Sequence, residues 1–192
     1  MVWIQTVPWD ESDGELRTSY DWQAARLGEP AEFTMLGSLY PPIVEERLRL
    51  YRAVEGCPSA LAPEERVLAA FVTSLLNGTA HCASGLRHRL LGLGWTEHQL
   101  DAVAADPSEV HTGADRIDAI AAHAGALTTR PHSITQDDLD ALRGVGLGDL
   151  ELLDLNNIVA YYNYINRVAN GLGLTTPLTP HDAFHALPDS RS

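Results

Sequence analysis

Of the two cysteines in this 192-residue chain, Cys82 stands where a thiol can be made reactive. The stretch Asn77-Gly-Thr-Ala-His-Cys82 reads as the end of one helix, a turn, and the first turn of the next. A cysteine in a first helical turn faces unpaired backbone N–H groups and the positive end of the helix dipole. Both favour the thiolate and lower the thiol from its ordinary value of about 8.5. His81 precedes it directly, and His88 lies seven residues on from His81, nearly two turns along the same face. A protonated imidazole there adds to the depression. The competing reading is a small buried apolar residue, the commonest fate of a free cysteine. Ser74, Asn77 and Thr79 put further small polar groups at the same junction, and Tyr161, Tyr162, Asn163, Asn166 and Arg167 form a second polar group near the C-terminal end. Arg167 is placed either to steer a small carboxylate or to hold a helix end through a salt bridge. The tyrosines read as core or subunit-interface residues, or as substrate contacts.

Composition removes whole classes of chemistry. All 13 basic residues are arginine, against 26 acidic ones, for a formal charge of −13. Without lysine there is no Schiff-base catalysis and no phosphate-loop lysine. Two cysteines build neither a disulfide framework nor a four-thiolate zinc site. An acidic, lysine-free surface disfavours nucleic acid, whose phosphates need neutralising. The longest apolar run, Val67–Val72, is far short of the ~20 residues that span a bilayer, and Met1–Thr6 lacks the basic region of a secretory signal. The expectation is a soluble cytoplasmic protein, with no membrane or nucleic-acid partner and with both thiols reduced at rest. Histidine spacing gives no metal site: His81 and His88 sit ~10 Å apart along a helix axis. His181 and His185 have the spacing but lie in the tail, and no cofactor is called for.

The elements that must position these groups are helical throughout. Val2–Val7 is the one stretch able to be extended, a short arm ending at Pro8. Leu16, Tyr20, Ala24 and Leu27 mark a first helix closed by Gly28. A short element near Phe33–Leu39 stops before Pro41-Pro42, and a third helix runs to Gly56 with Val44, Leu48 and Tyr51 inward. Pro63-Glu64-Glu65 opens a helix that ends near Asn77-Gly78. The next begins at Thr79 or Ala80 and runs to about Gly92; Thr96-Glu-His-Gln99 is a capping box that opens another. Further helices are predicted at 113–128, 135–143 and 149–171, the last with Leu150, Leu153, Ile158, Tyr161, Ile165, Val168 and Leu172 on one face. The absence of strand–helix alternation excludes a doubly wound fold. One domain is expected over 1–192, with an arm at 1–12 and a surface tail at 175–192 that holds one turn near His181–Leu187. Trp3, Trp9 and Trp22 predict that the arm packs across a neighbouring subunit.

An echo recurs at an offset of 86 residues. It pairs Leu61 with Leu147, Glu65 with Glu151, Asn77 with Asn163, Ala83 with Ala169, Gly85 with Gly171 and Leu86 with Leu172. It reads as a duplication into two similar halves, or as composition shared between helices.

The segment Leu61-Ala-Pro-Glu-Glu through Asn77-Gly-Thr-Ala-His-Cys82 resembles the core of the alkylhydroperoxidase D and carboxymuconolactone decarboxylase family. The C-terminal half, Ile134 to Leu172, is similar to its peroxidase-related branch, and so is the opening through Leu36 to Tyr51. The resemblance spans residues 3–174. It implies an all-α, AhpD-like helical bundle of two similar halves, assembled as a dimer, trimer or hexamer. Redox members carry a Glu twelve residues before the first cysteine of a Cys-x-x-Cys, and a His four residues after the second. On this chain those positions are Val67, Thr79, Cys82 and Leu86, so Cys82 alone survives, with His81 before it as in some members. A proton donor could be His81, His88 or Glu65, although Glu65 points to the other side of its helix from Val67. An ordinary two-cysteine cycle is excluded unless Cys57 comes within ~7 Å by Cα. What the resemblance implies is an enzyme of small molecules with catalytic Cys82, His81, Thr79 and His88, and substrate contacts from Asn77, Ser74, Arg167 and Tyr161. It would be a one-cysteine thiol peroxidase or antioxidant. The alternatives are a non-redox lyase or isomerase, or a catalytically silent ligand-binding oligomer.

Overall fold

The computed structural model describes residues 2–179. Its regular elements are nine α-helices and one 3₁₀ turn, with no strand among the described residues. They are α1 Gly14–Leu27, α2 Glu32–Met35, α3 Pro41–Glu55, α4 Pro63–Leu76, α5 Ala80–Gly92, α6 Glu97–Ala105, α7 Asp115–Thr129, α8 Gln136–Gly144 and α9 Asp149–Gly171, with the 3₁₀ turn at Pro131–Ser133 between α7 and α8.

Helix α4 is the centre because its sequence gives it no polar face. Every residue from Val67 to Ser74 is buried, and a helix that is buried all round needs neighbours on every side. Helices α5, α7 and α9 supply them. The two polar residues inside this run are satisfied or paired: Thr73 Oγ1 donates to Ala69 O, and Ser74 bonds Asn166 of α9. A second, smaller layer joins α1 to α3 through Leu16, Tyr20, Val44 and Leu48, with Trp9 and Trp22 packed against it.

The predicted helix ends hold where a physical stop signal marks them. Gly28 has φ +84° and gives its N–H to Ala24 O; Thr96 and Gln99 cap each other as a capping box requires. The face of α9 differs from the expected one. Leu150 and Leu153 are exposed, whereas Leu152, Leu155, Ile158 and Val159 are buried. Over 23 residues the inward stripe drifts around the axis, and Asp154, rather than Leu153, turns into the protein in the second turn.

The arm packs on its own chain. Trp3 N–H donates to Leu172 O, Val7 N–H to Ser38 Oγ, and Tyr20 O–H to Val7 O. Trp9 donates to Asp21, and Trp22 lies under the Arg52 guanidinium. Trp3 crosses Gly173 so closely that a Cβ there would lie 2.5 Å from the ring. Trp3 alone of the three tryptophans is left exposed, so the rest of the arm needs no neighbour to bury it.

The 86-residue echo has structural counterparts. Glu65 accepts the N–H of Ala62, and Glu151 accepts the N–H of Gly148, at matching positions. Leu61 and Leu147 are both buried, and Asn77 donates to the side chain of its counterpart Asn163 at 3.0 Å. No helix is long and apolar enough to cross a membrane among the described residues.

Candidate active site

A cavity of about 160 Å³ opens between α1–α3 on one side and α5 and α9 on the other. Helix α5 lines it with one stripe, Cys82, Gly85, Leu86 and Arg89, at the i, i+3, i+4, i+7 spacing of a single helical face. Helix α9 contributes Tyr161, Tyr162 and Ile165, and α3 contributes Arg47, Leu48 and Tyr51. Phe33 and Thr34 of α2 close one wall, and Leu178 of the tail closes another.

The turn that separates α4 from α5 sets this stripe. Gly78 takes φ +64°, Thr79 N–H donates to Ser74 O, and the chain restarts as a helix at Ala80. Cys82 therefore does sit in a first helical turn, as the sequence predicts. Its thiol moves the opposite way from that expectation. Burial among apolar neighbours pushes it up to about 12. Desolvation of the thiolate is the cause of the shift. At neutral pH Cys82 is a thiol.

The predicted site residues separate into two groups. Cys82, His81 and Tyr161 line the cavity together. His81 is buried, and its Nδ1 donates to Thr176 O at 2.9 Å. The exposed Glu32 carboxylate lies 3.9 Å from the same atom. His88 is half-buried on α5 and does not line the cavity. Thr79 is buried beneath the turn with its hydroxyl unpartnered. Ser74 and Asn77 join α4 to α9 through Asn166 and Asn163 rather than facing the cavity. Arg167 is exposed and donates to Asn163 O and Oδ1, so it braces its own helix with no carboxylate involved. Of the vacated family positions, Leu86 lines the cavity and Val67 lies in the core of α4. Glu65 is buried at the start of α4, caps Ala62 and holds Arg116 at 2.6 Å, a structural role.

Cys57 does not line the cavity either. It lies beside Asp154, Arg66 and Ser59, and both cysteines are free. Among the described residues no group of three or more His, Cys, Asp or Glu could hold a metal ion; His181 and His185, and the expected turn at His181–Leu187, lie outside the described residues.

Two cavity residues escaped the sequence reading, Arg47 and Arg89. Arg47 is 4% exposed, stacked 4.3 Å over the Phe33 ring, with Nη2 donating to Phe33 O and Thr34 O. Arg89 reaches Glu55 at 3.4 Å while its Nε is buried without a partner. The α5 stripe drawn from Cys82 rather than from His81 points to Arg89. Nothing local points to Arg47, which is 35 residues from the cysteine and flanked by surface charges.

No protein-family model matches the chain, and no curated protein matches it. Solved structures do. The alkylhydroperoxidase AhpD core of a peroxidase-related protein from Ralstonia eutropha JMP134 is similar over 97% of both chains, with a TM-score of 0.83 at 19% identity. The fold is that of the AhpD core. A peroxidase-related protein from Silicibacter sp. TM1040 shares it over 94% of both chains (TM-score 0.79, 18% identity). A cysteine-to-alanine variant of the debrominase Bmp8, in complex with 2,3,4-tribromopyrrole, is similar over 94% of this chain and 95% of that one (TM-score 0.72, 16% identity). These likenesses show the fold alone, and the cavity at Cys82 has to speak for this chain.

Proposed function

We propose that this protein is an enzyme of the alkylhydroperoxidase-like family that uses Cys82 as its sole reacting thiol on a small, largely apolar organic molecule. The observation that carries the reading is the cavity: of the two cysteines Cys82 alone lines it, and the walls are aromatic and aliphatic. A void of this size takes one small ring; an engineered apolar cavity of about 150 Å³ binds benzene. As a one-cysteine peroxidase, Cys82 sulfur attacks the distal oxygen of an organic hydroperoxide. The S–O bond forms as O–O breaks, the leaving alkoxide takes a proton, and an external thiol reduces the sulfenic acid. With the thiol pushed up to about 12, the empty protein reacts slowly with hydrogen peroxide, so selectivity lies with molecules that fill the cavity.

The aromatic walls and the likeness to a debrominase support a second reading, thiol-dependent removal of halogen from a small aromatic ring. There the sulfur takes the halogen, the ring carbon takes a proton, and an external thiol releases halide as a disulfide forms. Cumene hydroperoxide consumption with dithiothreitol separates the two. The wild type is expected to exceed Cys82→Ser clearly, with dimedone labelling of Cys82 during turnover. Equal background rates sink the peroxidase reading, and halide release from a brominated pyrrole by wild type but not Cys82→Ser then supports the second. Failure of both leaves a ligand-binding protein. We further propose a cytoplasmic homo-oligomer, for which the exposed Leu39, Tyr40 and Ile43 at the start of α3 supply an apolar face. A monomer in sedimentation at micromolar concentration would overturn it.

A further inference from the structure

The cavity holds a cation that no described residue neutralises. Arg47 is almost fully buried, and no carboxylate pairs with it among the described residues. Its Nη2 is committed to two backbone carbonyls, whereas Nε and Nη1 form no hydrogen bond with any described residue. The titratable side chains that face it are the phenols of Tyr161, Tyr164 and Tyr20 rather than carboxylates. A guanidinium taken out of water without a counter-ion is costly, and evolution of a structural brace would be served as well by a neutral donor. Arg89, on the same cavity, differs in having a carboxylate partner, Glu55 at 3.4 Å, but its buried Nε has no acceptor. Both side chains line the cavity that Cys82 lines.

We propose that the cavity is an anion site, with Arg47 receiving the carboxylate of a small monocyclic organic acid and Arg89 adding a second donor. The ring of such an acid lies among Phe33, Tyr161 and Tyr162, and the uncommitted Nε or Nη1 of Arg47 donates a charge-assisted hydrogen bond to its carboxylate. This inference rests on the cavity being the substrate site, and it names the substrate class: an acid of benzoate size carrying the group that Cys82 attacks. It also replaces Arg167, the arginine that the sequence offered for the same task.

The test uses benzoate and its neutral isostere benzamide as probes, measured by calorimetry on the whole protein. Wild type is expected to bind benzoate on the order of tenfold or more tightly than benzamide, as befits a hydrogen bond to a charged group. Arg47→Met is expected to lose that preference and Arg47→Lys to keep part of it, with circular dichroism confirming the fold of each. In a Cys57→Ser background benzoate should also slow alkylation of Cys82 by iodoacetamide, which requires no change at Arg47. Equal binding of the two probes, or a preference that survives in Arg47→Met, overturns the proposal. Because the measurement needs no turnover, its outcome is independent of the reaction. Cys82→Ser should retain the benzoate preference while losing any thiol chemistry. A protein that prefers benzoate but turns over neither hydroperoxide nor haloarene keeps the anion site and loses the enzymatic reading, and one that turns over cumene hydroperoxide but ignores charge does the reverse.

Discussion

Residues 61–77 and 147–163 run in parallel down to single hydrogen bonds. In each half a buried leucine precedes the helix, a glutamate three residues inside it accepts the cap N–H, and an asparagine at the far end reaches across to its counterpart. The halves then part. After Asn77 the chain breaks at Gly78, whose φ of +64° ends α4, and restarts as α5; after Asn163 it continues through Tyr164 and Ile165 without interruption. The consequence is a division of labour. The broken half presents a new helical face with Cys82 and Arg89, and the unbroken half supplies a fixed wall of Tyr161, Tyr162 and Ile165. One backbone position separates the stripe that carries Cys82 from an unbroken wall.

The largest effect expected concerns the thiol itself. In a Cys57→Ser protein, alkylation of Cys82 at pH 8 should run about three orders of magnitude slower than that of a free thiol, the ratio implied by a value near 12 instead of 9. The sign for stability follows. A thiol raised in the folded state contributes stability that is complete below the unfolded value near 9 and is lost as pH rises toward about 12. Wild type should therefore lose stability relative to Cys82→Ala across that window. Alkylation at the free-thiol rate would remove the account of Cys82 given above.

The next test removes a difference between the halves. Asp154 is fully buried in α9, bonded by Ser59 and Arg66, and occupies the place that Leu68 holds in α4. Asp154→Leu should cost about 3–5 kcal/mol in urea unfolding, because Arg66 then loses its anion. Adding Arg66→Leu should restore most of it. A single substitution without cost would mean that the pair is idle. At the break, Gly78→Ala should cost about 1 kcal/mol by forcing a Cβ into the left-handed region, and Tyr164→Gly should cost a similar ~1 kcal/mol by loosening an intact helix. Gly78→Ala without cost would deny that the two halves differ there. The smallest effect is at the seam. Asn77→Ala and Asn163→Ala should each cost about 1 kcal/mol, and the double variant should fall short of their sum by about 0.5 kcal/mol, since each removes the same bond.

Much of this was legible beforehand. Proline, glycine and capping residues placed the helices, and the same signals placed the turn that puts Cys82 at a helix start. What failed were judgements needing three dimensions. The thiol shift was misjudged because the helix dipole is a local property and desolvation is not: Leu86 is local, but Tyr161 and Leu48 come from far along the chain. Arg167 was chosen for its place near the second asparagine cluster, yet it spends its donors on Asn163. Arg47 carried no local mark, because its meaning comes from Phe33 and the α9 tyrosines that surround it. The contacts that Trp9 and Trp22 make with α1 and α3 of their own chain were not legible either, because counting tryptophans does not supply the surfaces that receive them.

The tail gives the cavity a wall that hangs on α5. Its wall at Leu178 is tied to α5 by two hydrogen bonds, Leu178 N–H to Ser84 Oγ at 2.7 Å and the His81 ring to Thr176 O, and is seated over Gly85, where a Cβ would lie 2.8 Å from the leucine methyl. Leu178 thus belongs to the cavity as much as the helices do: a change that displaces residues 176–178 alters the wall beside Cys82 and the contact of the His81 ring together.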